Sequence, residues 1–231
     1  MRMFPVTCLD NFYNDPNGIR NFALSLNYEK TPGHYPGYRT DNLQDIHEHF
    51  HILSVNKLLS LFFQIDPSEV MDFKWQATNF FQKIYPYHKD VNNILNVGDI
   101  HQDQPSLKLA AVIYLNPNPS IDSGTSFYQC KEDCKEYYPD DNHSKIKSFC
   151  YRDSECEEYS EELRTHNLNY EKTIEVKNLY NRLIAYPPQL FHAQTNYCMK
   201  NEDFRLTQVF FIDLIETSLS NPISRSNMYD V

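Results

Sequence analysis

Two short stretches of this chain carry the residue types of a metal centre. In GDIHQDQ, His101 and Asp103 stand two apart, and side chains at i and i+2 of an extended strand project from one face, so an imidazole and a carboxylate aim at one place. In YPPQLFHAQTN, His192 follows the strand-like run RLIAY and the turn Pro187-Pro188, where a rigid strand end can aim a ring inward. Two histidines and one carboxylate form a facial triad suited to non-haem Fe(II), with positions left open on the metal. His101-x-Asp103 alone is a weak signal, because so short a pattern recurs by chance and a His beside an Asp is usually only a hydrogen-bonded pair.

The deciding feature lies in FRLTQVFFID, whose Arg205 comes thirteen residues after His192. Alternation puts Arg205, Thr207 and Val209 on one face of a strand and Phe204, Leu206 and Gln208 on the other. An arginine turned into a barrel is costly unless it meets an anion. Its guanidinium fork matches a carboxylate, and the Thr207 hydroxyl can add a hydrogen bond. The implied anion is a dicarboxylate.

Elements must hold these residues in place. Asp15-Pro16 followed by Ile19, Phe22, Ala23 and Leu26 predicts an N-capped amphipathic helix. Asp41 with Gln44 resembles a capping box, after which Leu43, Ile46, Phe50 and Leu53 predict a second helix running toward Ile65. From Phe73 the period changes. FKWQATNFF, LKLAAVIYLN, GTSFY, NRLIAY and FRLTQVFFID are short β-branched or aromatic runs separated by Asn, Pro, Asp and Gly. The expected fold is mainly β and antiparallel with flanking α-helices, one domain over 1–231. Residues 1–65 are its helical support, 73–128 and 174–214 its strands, and the polar, acidic stretch 129–173 an insertion or lid.

Composition bounds the function. A chain that is 41% hydrophobic, with 17 Tyr and 15 Phe, has ample material for a core. Its formal charge of −10 and lack of a basic run disfavour nucleic acid as a partner. The N-terminal stretch has no signal-peptide pattern and no run is long enough for a membrane span, so a cytoplasmic protein with mostly reduced cysteines is expected.

The order and spacing of His101-x-Asp103, His192 and Arg205-x-Thr207 resemble those of the Fe(II)/2-oxoglutarate-dependent dioxygenases. Within that superfamily NFYNDPNGIRNFALSLNY, YPGYRT, LAAVIYLNP, GTSFY and YPPQLFHA are similar to a prolyl-hydroxylase-like branch found in phages and marine bacteria; a phage-encoded copy would work in the host cytoplasm. The resemblance implies a distorted double-stranded β-helix, a cupin-like jelly roll with the metal at its mouth. It implies Fe(II) on His101, Asp103 and His192, with 2-oxoglutarate chelating the iron and its far carboxylate on Arg205 and Thr207. Dioxygen takes the last coordination position, and a C–H bond is hydroxylated with release of succinate and carbon dioxide. Asp103 disfavours halogenation, since halide-transferring relatives lack this carboxylate. The substrate is a small molecule or a protein or peptide side chain. The rival readings are a non-catalytic jelly-roll binding or structural protein, and a cupin-like hydrolase or isomerase.

Other features have plainer readings. His47 and His51 in HEHFH have zinc-compatible spacing, but a solvated helix surface is the default. Cys130, Cys134, Cys150 and Cys156 are read as free thiols before structural zinc or disulfides. Arg39 in PGYRT is a surface turn residue by default, or a holder of an anionic substrate. Tyr114, Gln82 and Tyr85 are candidates for the pocket lining, Tyr114 also for the cosubstrate end, against a default of core packing.

Overall fold

The computed structural model describes residues 4–30, 35–65, 72–131 and 160–228. Helix α1 (Pro16–Ser25) starts as its sequence predicts, with the Asp15 carboxylate accepting from Gly18 N at 2.9 Å and proline in the first turn. The second predicted helix is two. Helix α2 (Leu43–Ile46) is capped by Asn42, not Asp41, and the chain breaks at His47 before α3 (Glu48–Leu59). The break lets Leu43 and the α3 residues Val55, Leu58 and Leu59 all reach the core.

Nine strands form two antiparallel sheets among the described residues. They are β1 (Thr7–Leu9), β2 (Tyr38–Arg39), β3 (Phe73–Ile84), β4 (Leu109–Tyr114), β5 (Thr125–Cys130), β6 (Tyr170–Val176), β7 (Leu183–Tyr186), β8 (Phe191–Gln194) and β9 (Arg205–Thr217). The larger sheet has the order β1-β7-β4-β9-β3-β2 and the smaller β6-β5-β8. Every pairing is antiparallel.

Alternation assigns the two faces of the larger sheet. Ala77, Phe81, Leu109, Ala111, Ile113, Leu206, Phe210 and Ile212 face the helices and join one apolar cluster with residues of α3 and with Phe4 and Phe12. Each fully buried Leu, Ile or Phe contributes about 1.5–3 kcal/mol. The opposite face carries Ala110, Tyr114, Ile184 and Tyr186, which pack against Phe127 and Val176 of the smaller sheet. Between the sheets lies a cavity of about 690 Å³.

The stretch read as an insertion is partly built into the sheet. Gln129 and Cys130 end β5, residues 170–173 begin β6, and Cys130 pairs with Tyr170. A short helix, α4 (Ser160–Asn167), precedes β6. Residues 132–159, with Cys134, Cys150 and Cys156, lie outside the described residues. Cys130 is disulfide-bonded, in place of the expected free thiol. Among the described residues no helix is long and apolar enough to cross a membrane.

Candidate functional site

His101 and Asp103 do not sit on a regular strand. His101 forms an isolated antiparallel bridge with His192, exchanging backbone hydrogen bonds of 3.0 and 2.9 Å, and Asp103 N donates to Pro188 O at 2.9 Å. His192 lies within β8, beyond the proline turn, where β5 supports it through the pair Phe127 and His192. The two histidines are thus clipped back to back by main chain. Behind them α4 braces the segment that carries His101: His166 Nε2 donates to Ile100 O at 2.7 Å, and Ile100 N donates to Asn167 Oδ1 at 3.2 Å.

One ligand atom each from His101, Asp103 and His192 lie within 4.8 Å of one another. The tautomers follow from the neighbours. His101 Nδ1 is 2.9 Å from Asp99 O and His192 Nδ1 is 2.8 Å from Leu190 O. A carbonyl only accepts, so both Nδ1 atoms carry the proton and both Nε2 atoms present lone pairs. The Nε2 atoms lie 3.9 Å from Asp103 Oδ1 and 3.5 Å from Asp103 Oδ2, respectively. These spacings are beyond hydrogen-bonding reach and suit donors converging on a shared cation. Burial pushes the His192 imidazole below its ordinary range, although Asp103 opposes this, and favours the neutral form that ligation requires.

Arg205 opens β9 and its side chain is buried, 2% exposed. Its Nε donates to Ser123 O at 3.0 Å, and its guanidinium lies over the Tyr114 ring, 5.2 Å from the centroid. Burial pulls its pKa down, and its strongest electrostatic neighbours are the phenols Tyr114, Tyr197 and Tyr186. No carboxylate of the described residues pairs with it. Where β9 meets the His101–Asp103 segment, three buried polar atoms lack a hydrogen-bond partner: Arg205 Nη2, Thr207 Oγ1 and Asp103 Oδ2. Orphan buried donors and a carboxylate oxygen each cost roughly 1–3 kcal/mol or more. A cation at Asp103 and an anion at Arg205 and Thr207 would relieve all three, so the residues fit a divalent metal with a carboxylate-bearing cosubstrate.

His101, Asp103, His192, Arg205 and Thr207 therefore line one cavity. Tyr114 is fully buried behind Arg205, its hydroxyl donating to Thr125 Oγ1 at 2.9 Å. Gln82 lines the cavity, whereas Tyr85 is exposed on the outside against Tyr38 and Phe204. Arg39 lines the cavity too, in place of a surface turn. His51 corrects the solvated-helix reading: it is 2% exposed, with Nδ1 2.7 Å from Asn79 Oδ1. Sequence reasoning missed Asp99, whose carbonyl fixes the His101 ring, and His166, which holds the main chain at Ile100 beside it. Asp99 lies within GDIHQDQ but acts through its main-chain carbonyl, which no residue type signals, and His166 reaches Ile100 only by a pairing 66 residues apart.

The fold and site define an antiparallel β protein with two histidines and a carboxylate gathered beside a buried, anion-seeking arginine. The chain belongs to a family of unknown function (DUF6445), whose model matches residues 2–211. No curated protein matches it. Among solved structures it is similar to HygX from Streptomyces hygroscopicus with nickel and 2-oxoglutarate bound, at 13% identity and a TM-score of 0.49, covering 91% of this chain and 83% of that one. It is also similar to an oxidoreductase of the 2OG-Fe(II) oxygenase family from Burkholderia pseudomallei, at 9% identity and a TM-score of 0.45, covering 90% and 83%. A third likeness is to the non-heme alpha ketoglutarate dependent epimerase SnoN from nogalamycin biosynthesis, at 7% identity and a TM-score of 0.42, covering 89% and 78%.

Proposed function

We propose that this chain is an Fe(II)/2-oxoglutarate-dependent oxygenase that hydroxylates a C–H bond. The observation that carries the reading is Arg205, a buried cation with Nη2 unsatisfied beside the unsatisfied Thr207 hydroxyl, in the cavity that holds His101, Asp103 and His192. A hydrolase or isomerase working through metal-bound water leaves that cation without an anion to meet, and a non-catalytic relative has no use for it.

In this reading His101 and His192 hold the metal through Nε2 and Asp103 through its carboxylate. The carbonyls of Asp99 and Leu190 keep both rings in the required tautomer. Arg205 grips the distal carboxylate of 2-oxoglutarate, with Thr207 donating beside it and Tyr114 holding the guanidinium from behind. When bound, Fe(II) with 2-oxoglutarate and dioxygen supplies oxidative decarboxylation of the cosubstrate coupled to oxygenation of the substrate. The apolar side chains Val209, Phe211 and Phe191 keep bulk water from that centre. The two sheets are the walls of a distorted double-stranded β-helix, in a single domain over 1–231 with residues 1–65 as its helical support.

Anaerobic calorimetric titration of the manganese-loaded protein with 2-oxoglutarate tests the reading. It expects one equivalent bound, and succinate release once Fe(II) and air replace manganese and nitrogen. Failure of the loaded protein to bind 2-oxoglutarate overturns it.

A further inference from the structure

One row of residues runs straight across the six-stranded sheet. Arg39 on β2 stands opposite Gln82 on β3, Gln82 opposite Thr207 on β9, and Thr207 opposite Tyr114 on β4. Arg39, Gln82 and Thr207 all line the cavity. Adjacent strands are about 4.8 Å apart, so the Arg39 backbone lies about 10 Å from that of Thr207. The cavity thus has two guanidinium groups, Arg205 on the central strand β9 and Arg39 on the edge strand.

Arg39 is held in a built position. Gly37 has φ of +73°, and a Cβ there would come 2.1 Å from Lys83 O, so the chain can press against β3 only because this residue is glycine. Gln82 Nε2 donates to Pro36 O at 2.6 Å, and Arg39 exchanges backbone hydrogen bonds of 3.0 and 2.8 Å with Glu29. The Arg39 guanidinium carbon lies 3.4 Å from the Tyr35 ring centroid and 4.2 Å from that of Phe80. Stacking occupies the faces of a guanidinium, while its N–H donors act in the plane, toward the groups at its rim. A cavity of about 690 Å³ holds a second small molecule beside a five-carbon diacid.

From this row and this clamp we infer that the primary substrate is a small organic anion, a carboxylate or a phosphate, whose charged group is bound by Arg39 while its reacting carbon lies toward His101, Asp103 and His192. The inference rests on the oxygenase reading of the same cavity. Arg39 acts here as a specificity residue, selecting the substrate by charge.

The test uses phenylacetate and phenyl phosphate as anionic probes and phenylacetamide as the neutral match, titrated by ligand-observed NMR into protein loaded with Zn(II) and 2-oxoglutarate. Both anions should bind at least about tenfold tighter than the amide, as one charge-assisted pair provides. Arg39→Gln should erase that preference and Arg39→Lys should restore part of it, since a point charge replaces the fork. Equal binding of the amide, no binding of either anion, or a preference that survives Arg39→Gln overturns the inference. A fall in 2-oxoglutarate affinity in Arg39→Gln also overturns it, by placing Arg39 in the cosubstrate's site, and leaves the oxygenase reading standing. If the wild-type protein binds no 2-oxoglutarate, that reading fails instead, and the same probes on metal-free protein still decide whether Arg39 selects anions.

Discussion

On the helix-covered face of the six-stranded sheet, His51 sits in a closed polar ring. Its Nδ1 meets Asn79 Oδ1 at 2.7 Å, Asn79 Nδ2 donates to Ser54 Oγ at 3.0 Å, and Ser54 Oγ donates back to His51 O at 3.0 Å. On the cavity side His101 and His192 have one nitrogen tied to main chain and the other, a lone pair, turned toward a carboxylate beyond hydrogen-bonding reach. Both neighbourhoods began as histidine patterns with metal-compatible spacing. Satisfaction separates them: a ring whose members answer one another specifies the core, and a set whose atoms converge without closing is arranged for a ligand. Gln208 is the exception on the helix side, since its Oε1 accepts from Tyr13 Oη at 2.6 Å while its Nε2 is left over. That single leftover stands alone, whereas the cavity gathers Arg205 Nη2, Thr207 Oγ1 and Asp103 Oδ2 around one space.

The strongest way to break this contrast is Arg205→Ala. If the orphan guanidinium is waiting for the distal carboxylate of 2-oxoglutarate, the change removes a buried charge-assisted pair worth about 2–5 kcal/mol. Calorimetry on the manganese-loaded variant should then show cosubstrate affinity weaker by about thirty- to several-thousand-fold. Metal affinity should be nearly intact. Lysine at this position should recover only part of the loss.

Next in size is the triad itself. Removing one of three protein ligands should cost metal affinity at least as much as loss of an outer-shell partner, so His192→Ala or Asp103→Ala should weaken Mn(II) binding by about a hundredfold or more. Far-ultraviolet circular dichroism should stay that of the wild type, because Asp103 Oδ2 satisfies no other buried group. A variant that retains wild-type manganese affinity would place the metal elsewhere and erase the distinction between the two histidine neighbourhoods.

His51→Ala should do the reverse. It strands Asn79 Oδ1 in the core, at a cost of about 1–3 kcal/mol, and each kcal/mol lowers the melting temperature of a chain this size by about 2–4 °C. Manganese affinity should not move.

This contrast also marks what the sequence could disclose. Arg205 and Thr207 were legible because β9 is thirteen residues long, and a period of two fixes which side chains share a face. The pairing of His101 with Asp103 was legible as chemistry although its geometry comes from an isolated bridge instead of a strand. His51 was misread because HEHFH shows two histidines on a polar-looking turn, and only Asn79, 28 residues away on β3, reveals that this face is buried. Arg39 reads as a surface-turn residue for a similar reason. A two-residue strand has no period to read, and its place at the cavity depends on the fit of Gly37 against Lys83. The stretch 129–173 was drawn too wide because its ends lack apolar alternation: β6 is mostly exposed and is recruited to the sheet by its partner, not by its own pattern.

The smallest expected effect concerns protons. Burial lowers the His192 pKa, so in the metal-free protein the folded state resists a proton that the unfolded chain accepts near the ordinary histidine value of about 6.5. With the folded value depressed, the unfolded state binds more protons as pH falls through that region. Stability is therefore full above about pH 6.5 and declines below it, by up to about 1.4 kcal/mol per pH unit, until His192 itself titrates in the folded protein. Urea melts of metal-free protein between pH 7.5 and 5 should show that slope, and His192→Asn should lack this part of it. Saturating Mn(II) holds Nε2 against the proton and should steepen the decline as acid displaces the metal. A metal-independent pH profile would mean that His192 belongs with His51, as a core histidine.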